Sequence, residues 1–261
     1  GMDFVAELAR RQADLQRLPA VDKRIALVLA NYPTRDGRIG NGVGLDTPAA
    51  ALNILQALQQ QGYPVEALPD SGTALIHQLL GGVTNDLDNL DLRPCAQSLV
   101  LDDYQHFFAT LPEANRQAVL ERWGSPENDP MFRAGRLMIA GLRFGLTFVG
   151  IQPARGYQVD AAAVYHDPDL VPPHGYLAFY FWMRQVYGAN AVIHVGKHGN
   201  LEWLPGKSVG LSESCWPTAI LGALPNIYPF IVNDPGEGAQ AKRRTQAVII
   251  DHLMPPLTRA E

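Results

Sequence analysis

The richest chemistry in this chain lies in residues 191–210, AVIHVGKHGNLEWLPGKSVG, which carry His194, Lys197, His198, Glu202 and Lys207. His194, His198 and Glu202 recur every four residues, the spacing of ligands on one helical face. Gly196, Gly199 and Pro205 make a regular helix there costly, so the three belong to an irregular loop. Imidazole and carboxylate suit a borderline cation such as Co²⁺ or Zn²⁺, and either can accept a proton near neutral pH. The plainer reading of His194 is a hydrogen-bonded structural histidine at a strand end.

A second polar stretch, residues 31–44, offers Arg35, Asp36, Arg38 and Asn41; arginine forks there suit carboxylate recognition. A third, Asp234-Pro235-Gly236-Glu237-Gly238, precedes a helix and presents backbone N–H groups to an anion, or is simply a tight turn with Glu237 starting the helix. It lacks the Lys-Ser/Thr of a P-loop and the spacing of a dinucleotide fingerprint. Tyr32, Trp203, Trp216 and Tyr228 flank these loops. They are either faces for a flat conjugated ligand or core aromatics. Lys242-Arg243-Arg244 covers most directions around a helix, so one of the three could face a site, although solvated surface is the commoner fate of such a run.

The elements that position these groups follow from periodicity. Ile25-Ala26-Leu27-Val28-Leu29-Ala30 and Ala191-Val192-Ile193-His194-Val195 read as buried strands of a parallel sheet, each leading into one of the polar loops. Asp46 or Thr47 caps a helix with Pro48 in its first turn, running to about residue 61, and residues 65–68 read as the next strand of a βαβ unit. Helices are expected over 3–18, 71–80, 102–110, 113–123, 176–187 and 239 to about 253. Residues 81–93 read as a polar connection. An antiparallel hairpin is expected from strands 136–140 and 145–151, and a further strand at 228–233. The expected class is α/β: a mainly parallel sheet flanked by helices, with Rossmann-like βαβ units, a helical middle insertion (about 70–130) and an antiparallel hairpin. Two units are expected, 1–135 and 136–261, together one compact piece. The two loops, 31–44 and 194–207, should then meet at a common sheet border.

Composition bounds the function classes. With 47% hydrophobic and 18% charged residues the 261-residue chain is an ordinary globular protein. A net charge of −5 with dispersed basic residues argues against nucleic acid or an anionic membrane surface. No apolar run is long enough for a membrane span, and no signal peptide is evident. Gly1 ahead of Met2 resembles a residue left by tag removal. Cys95 and Cys215 are far apart and fit neither a disulfide framework nor a zinc knuckle, so a cytoplasmic location is expected.

The longer motifs narrow this. HVGKHGNLEWLPGK (194–207), LPNIYPFIVNDPGEGAQAKRRTQAVIIDHLMPPLTRA (224–260), LANYPTRDGRIGNGVGLDTPAAALNIL (29–55) and GIQPARGYQVDAAAVYHDPDLVPPHGYLAF (150–179) resemble the large subunit of tetrapyrrole metal chelatases, the CobN and magnesium-chelatase H family. GKHGN and NDPGEG look more like the cobaltochelatase branch. The resemblance implies a segment of a much longer polypeptide that takes part in inserting Co²⁺ into a corrin precursor, hydrogenobyrinic acid a,c-diamide. ATP would be hydrolysed by partner AAA+-type subunits, not by this chain. In that setting Glu202 is the first candidate for proton acceptor or metal delivery, with His198 as catalytic helper and His194 and His198 as transient metal donors. Lys197, Lys207, Arg35, Arg38, Asn41, Trp203 and Glu237 would contact the substrate. The readings that remain open beside it are a magnesium-chelatase H-type subunit acting on protoporphyrin IX with Mg²⁺, a non-catalytic corrinoid- or partner-binding module, and a metal-dependent hydrolase with His194, His198 and Glu202 as ligands.

Overall fold

The structure, a computed structural model, describes residues 1–31, 36–40, 44–88, 90–157, 168–196, 199–229 and 235–251. Its centre is strand β1 (Ile25–Leu29), every residue of which is buried. β1 pairs in parallel with β6 (Thr147–Ile151) on one side and β7 (Ala191–Val195) on the other. The sheet continues through β8 (Asn226–Pro229) to β9 (Val248–Ile250), both parallel, and ends at the far side in β5 (Gly141–Phe144), antiparallel to β6. A mainly parallel, helix-flanked sheet is therefore present, and residues from both halves of the chain build it. A smaller antiparallel sheet joins β2 (Gln97–Val100), β4 (Arg136–Ile139) and β3 (Phe132–Arg133).

Strand alternation divides the core. Ile25, Leu27 and Leu29 of β1 and Ala191, Ile193 and Val195 of β7 face the side of α2 (Thr47–Gln60) and α3 (Gly72–Leu80). Ala26, Val28 and Val192 face the other side, against the aromatic helix α6 (His174–Phe181). His194 shares the parity of Val192, so its ring points under α6. Alternate residues thus enter cores on both faces, which is why these strands read as unbroken apolar runs. Asp46 caps α2, accepting from the Ala49 N–H at 3.1 Å, with Pro48 in the first turn. Asp129 seats α6 by accepting from the Gly175 N–H at 2.8 Å; its other oxygen takes the Met131 N–H and the Tyr157 hydroxyl.

Several elements differ from their expectation. Residues 65–68 form no strand: Pro64 and Pro69 flank them, Ala67 has φ +52°, and the Val65 carbonyl accepts from the Gln59 side chain. The expected hairpin is shifted. β5 and β6 form it around Gly145-Leu146, Gly145 having φ +66°, whereas residues 136–139 belong to the smaller sheet. The helix expected over 176–187 starts at His174 and gives way to a π-helical turn over Trp182–Val186. Beyond the short helix α7 (Trp216–Leu221), helix α8 (Pro235–Arg244) stops nine residues short of 253, because Gln246 takes φ +50° and β9 follows as an edge strand. α1 (Met2–Arg17), α4 (Leu101–Ala109) and α5 (Glu113–Trp123) lie close to where periodicity puts them.

The loops after β1 and β7 do leave the sheet together. The Ala30 N–H donates to the Val195 carbonyl at 2.9 Å, and the Gly40 N–H to the Ala30 carbonyl at 2.7 Å. At the junction Gly196 has φ +123°, and a Cβ there would lie 2.5 Å from that of Ala30. Gly196→Ala therefore meets both backbone strain and a methyl clash, and should cost about 2–5 kcal/mol of stability. Thermal or urea unfolding checks this, and an unchanged midpoint would contradict such close packing of the two loops.

Candidate functional site

Four parallel strands, β6, β1, β7 and β8, end at one border, the position where open α/β sheets hold ligands. The polar side chains gathered there are buried: Gln152, Arg155, His194, Asn200, Glu202 and Asn226, each at most 5% exposed. Glu202 lies on a 3₁₀ turn, Leu201–Trp203, and is 4% exposed. Its Oε1 accepts from the Tyr228 hydroxyl at 3.3 Å, and the Tyr228 oxygen accepts from the Gly199 N–H at 2.5 Å. A Cβ on Gly199 would come within 3.0 Å of Glu202 Oε2, so the glycine lets the carboxylate approach the backbone.

The main chain beneath Glu202 is held from α8. Arg244, 5% exposed, donates to the carbonyls of Glu202 at 2.8 Å, Leu204 at 2.8 Å and Lys207 at 3.1 Å. All three guanidinium nitrogens are thus used on one loop. Burial pushes the Arg244 pKa down, while the nearby Cys215 and Glu202 pull it up. Of Lys242-Arg243-Arg244, the first two are exposed, the commoner fate of such a run, and Arg244 is the one that faces the site. The third basic residue turns inward because the loop offers carbonyls that no secondary structure satisfies.

Asn200 ties the next layer together: its Oδ1 accepts from Tyr176 at 2.7 Å and Gln152 at 3.0 Å, and its Nδ2 donates to the Pro153 carbonyl at 3.2 Å. His194 is enclosed between Asn226 at Nδ1, 2.9 Å, and Tyr180 at Nε2, 3.2 Å. Asn226 uses its amide on Thr245, so its oxygen faces the imidazole and takes the Nδ1 proton. Nε2 is then the acceptor for the Tyr180 hydroxyl. Burial pushes the His194 pKa down to about 4, against the smaller pull of Asn226, so the ring is neutral at pH 7. A metal or proton could reach Nε2 only by displacing Tyr180.

The remaining expected residues are placed as follows. Arg38 is exposed, on the 3₁₀ turn Asp36–Arg38. Asp36 is taken by Arg93 at 2.8 Å and Thr84 at 2.5 Å, both from the stretch read as a plain polar connection. Lys207 is exposed, whereas Trp203 and Glu237 are half-buried. Trp216 and Tyr228 are 5% and 2% exposed, so neither offers a face for stacking; they are core aromatics. Tyr32, Arg35, Asn41, Lys197 and His198 lie outside the described residues. Among the described residues no cluster of three or more His, Cys, Asp or Glu side chains could hold a metal ion, and no helix is long and apolar enough to cross a membrane. Sequence reasoning missed Gln152, Arg155, Asn200, Asn226 and Arg244. Four of these fall within the quoted motifs as polar residues beside glycine, proline or β-branched positions; Arg244 stood in a basic run from which spacing could not single out the inward-facing residue.

The family description CobN/Magnesium Chelatase matches residues 1–261. The chain belongs to that family. It is 82% identical over its whole length to the aerobic cobaltochelatase subunit CobN of Pseudomonas aeruginosa, covering 21% of that protein. It is 36% identical to the magnesium-chelatase H protein of Chlorobaculum parvum, over 99% of this chain and 20% of that one. It is also similar to the solved catalytic subunit of cobaltochelatase from Mycobacterium tuberculosis. There the TM-score is 0.83 and the identity 47%, over 97% of this chain and 22% of that one. The chain therefore spans about a fifth of the length of these relatives.

Two outcomes follow from the site's geometry. With His194 lowered to about 4, the unfolded chain binds the extra proton between pH 6.5 and 4. Stability is thus full above pH 6.5 and should fall on acidification by on the order of 3 kcal/mol through this group. The lowered pKa of buried His174 acts in the same direction. Urea unfolding across that range checks the slope, which His194→Gln should flatten. Arg244→Met strands three loop carbonyls and should cost about 3–5 kcal/mol, with amide exchange rising first over residues 201–207.

Proposed function

We propose that the chain is one compact segment of the large, tetrapyrrole-binding subunit of an ATP-dependent cobaltochelatase, and that it forms one wall of the cleft in which Co²⁺ enters hydrogenobyrinic acid a,c-diamide during cobalamin biosynthesis. Identity favours the cobalt branch: 82% to a cobaltochelatase protein against 36% to a magnesium-chelatase H protein. The observation that carries the catalytic part is a buried carboxylate, Glu202, held by Tyr228 at the carboxyl border of the parallel sheet.

Insertion of a divalent metal requires two ring N–H protons to leave and the metal to shed water as the ring nitrogens replace it. A carboxylate serves both needs, accepting a proton or holding the cation through oxygen. Glu202 takes that role. His198, four residues earlier, is the helper, and His194 supports the floor of the site through Tyr180 and Asn226. Lys197, Lys207, Arg35, Arg38, Asn41, Trp203 and Glu237 are the candidate contacts for the ring and its carboxylates. ATP belongs to AAA+-type partner subunits, in keeping with a sequence that carries no P-loop. The setting is cytoplasmic.

The test is Glu202→Gln in the complete subunit with its ATPase partners. Cobalt insertion, followed by the corrin absorbance, should fall at least about 100-fold while corrinoid binding stays within twofold. Unchanged insertion with intact binding would remove Glu202 from the mechanism.

A further inference from the structure

We propose that Tyr228 is the positioning residue of this site, its hydroxyl holding the Glu202 carboxylate in the orientation from which it takes the ring proton. The inference rests on the reading of Glu202 as proton acceptor. A phenol has one proton and two lone pairs. The Gly199 N–H, at 2.5 Å, occupies one lone pair, which turns the hydroxyl proton away from the amide and towards Glu202 Oε1 at 3.3 Å. The ring itself has little freedom. It is 2% exposed, lies on β8, packs against Ala241 and Ala247, and stands edge-on to His194 at 6.1 Å and 85°. His194 is fixed in turn by Asn226 and Tyr180.

Glu202 can act only from a defined orientation. Arg244 fixes only the main chain of its turn, while the side chain has three rotatable bonds beyond the Cα, and proton transfer demands hydrogen-bond reach and alignment. Tyr228 supplies a reference point on a strand, and the backbone at Gly199 lies close against both the carboxylate and the hydroxyl. The phenol oxygen is bonded to the Gly199 N–H and to Glu202 Oε1, so its effect on the reaction passes through Glu202.

The experiment uses the complete subunit with its ATPase partners, hydrogenobyrinic acid a,c-diamide and Co²⁺, in single turnovers at saturating substrate. Tyr228→Phe should slow insertion roughly 10- to 100-fold, the scale of one hydrogen bond to a charged group, with the corrinoid Kd within twofold. Combined with Glu202→Gln it should cause no further loss, since a residue acting through Glu202 has nothing left to orient. Should the phenylalanine variant fold poorly, 3-fluorotyrosine at position 228 keeps the ring and both bonds, alters donor strength, and should change the rate with an unaltered Kd. If Glu202→Gln is inactive while Tyr228→Phe or the fluorinated protein turns over at the wild-type rate, the role of Tyr228 is overturned alone. A weakened Kd at unchanged rate also overturns it. If Glu202→Gln turns over normally, the proton-acceptor reading falls and the role of Tyr228 with it.

Discussion

Everything at this sheet border depends on satisfying polar groups that the fold has removed from water. Parallel strands need helical cover on both faces, so whatever stands at their carboxyl ends is partly enclosed by the same helices. A buried imidazole, three carboxamides, a carboxylate and two guanidiniums survive there only as a bonded set. The set is built from distant pieces of chain: Asn226 on β8 serves His194 on β7, Gln152 after β6 serves Asn200, and Arg244 serves the turn of Glu202. Each bond joins a different strand or helix to its neighbour. The polar network therefore sets the relative positions of β6, β7, β8 and α8 at the end where the apolar core thins out.

The framework of this arrangement was legible in the chain, because its signals are local. The apolar runs at 25–30 and 191–195, the Asp46 cap and Pro48 each depend on a few adjacent residues. The adjacency of the two loops followed from placing both after buried parallel strands. What escaped in the elements depends on backbone conformation rather than on pattern. Residues 65–68 alternate like a strand, yet the flanking prolines and the left-handed Ala67 divert their backbone to side-chain and loop partners. Val248-Ile249-Ile250 looks like the end of an apolar helix until Gln246 adopts a positive φ, a choice no periodicity encodes.

The same distinction explains the site. His194 was placed correctly on its strand, but its hydrogen-bond partners lie 14 and 32 residues away, so its protonation state could not be read from spacing. Arg244 sat in a basic run whose commonest fate is solvent, and Lys242 and Arg243 do follow that rule. Only the loop 42 residues earlier gives the third arginine a reason to turn inward.

The protonation chemistry separates the two residues that spacing alone had grouped. For His194 to accept a proton, Nε2 would have to lose the Tyr180 hydroxyl and the ring would become a cation sealed from water. Burial opposes that charge, which is why the imidazole stays neutral down to about pH 4. Glu202 faces the opposite balance. A carboxylate that takes up a proton or a divalent cation there reduces a buried charge instead of creating one. Two residues eight positions apart thus meet one electrostatic environment with opposite consequences. Burial, which keeps the imidazole silent because it would have to gain a charge, is no such obstacle to a carboxylate that gives one up.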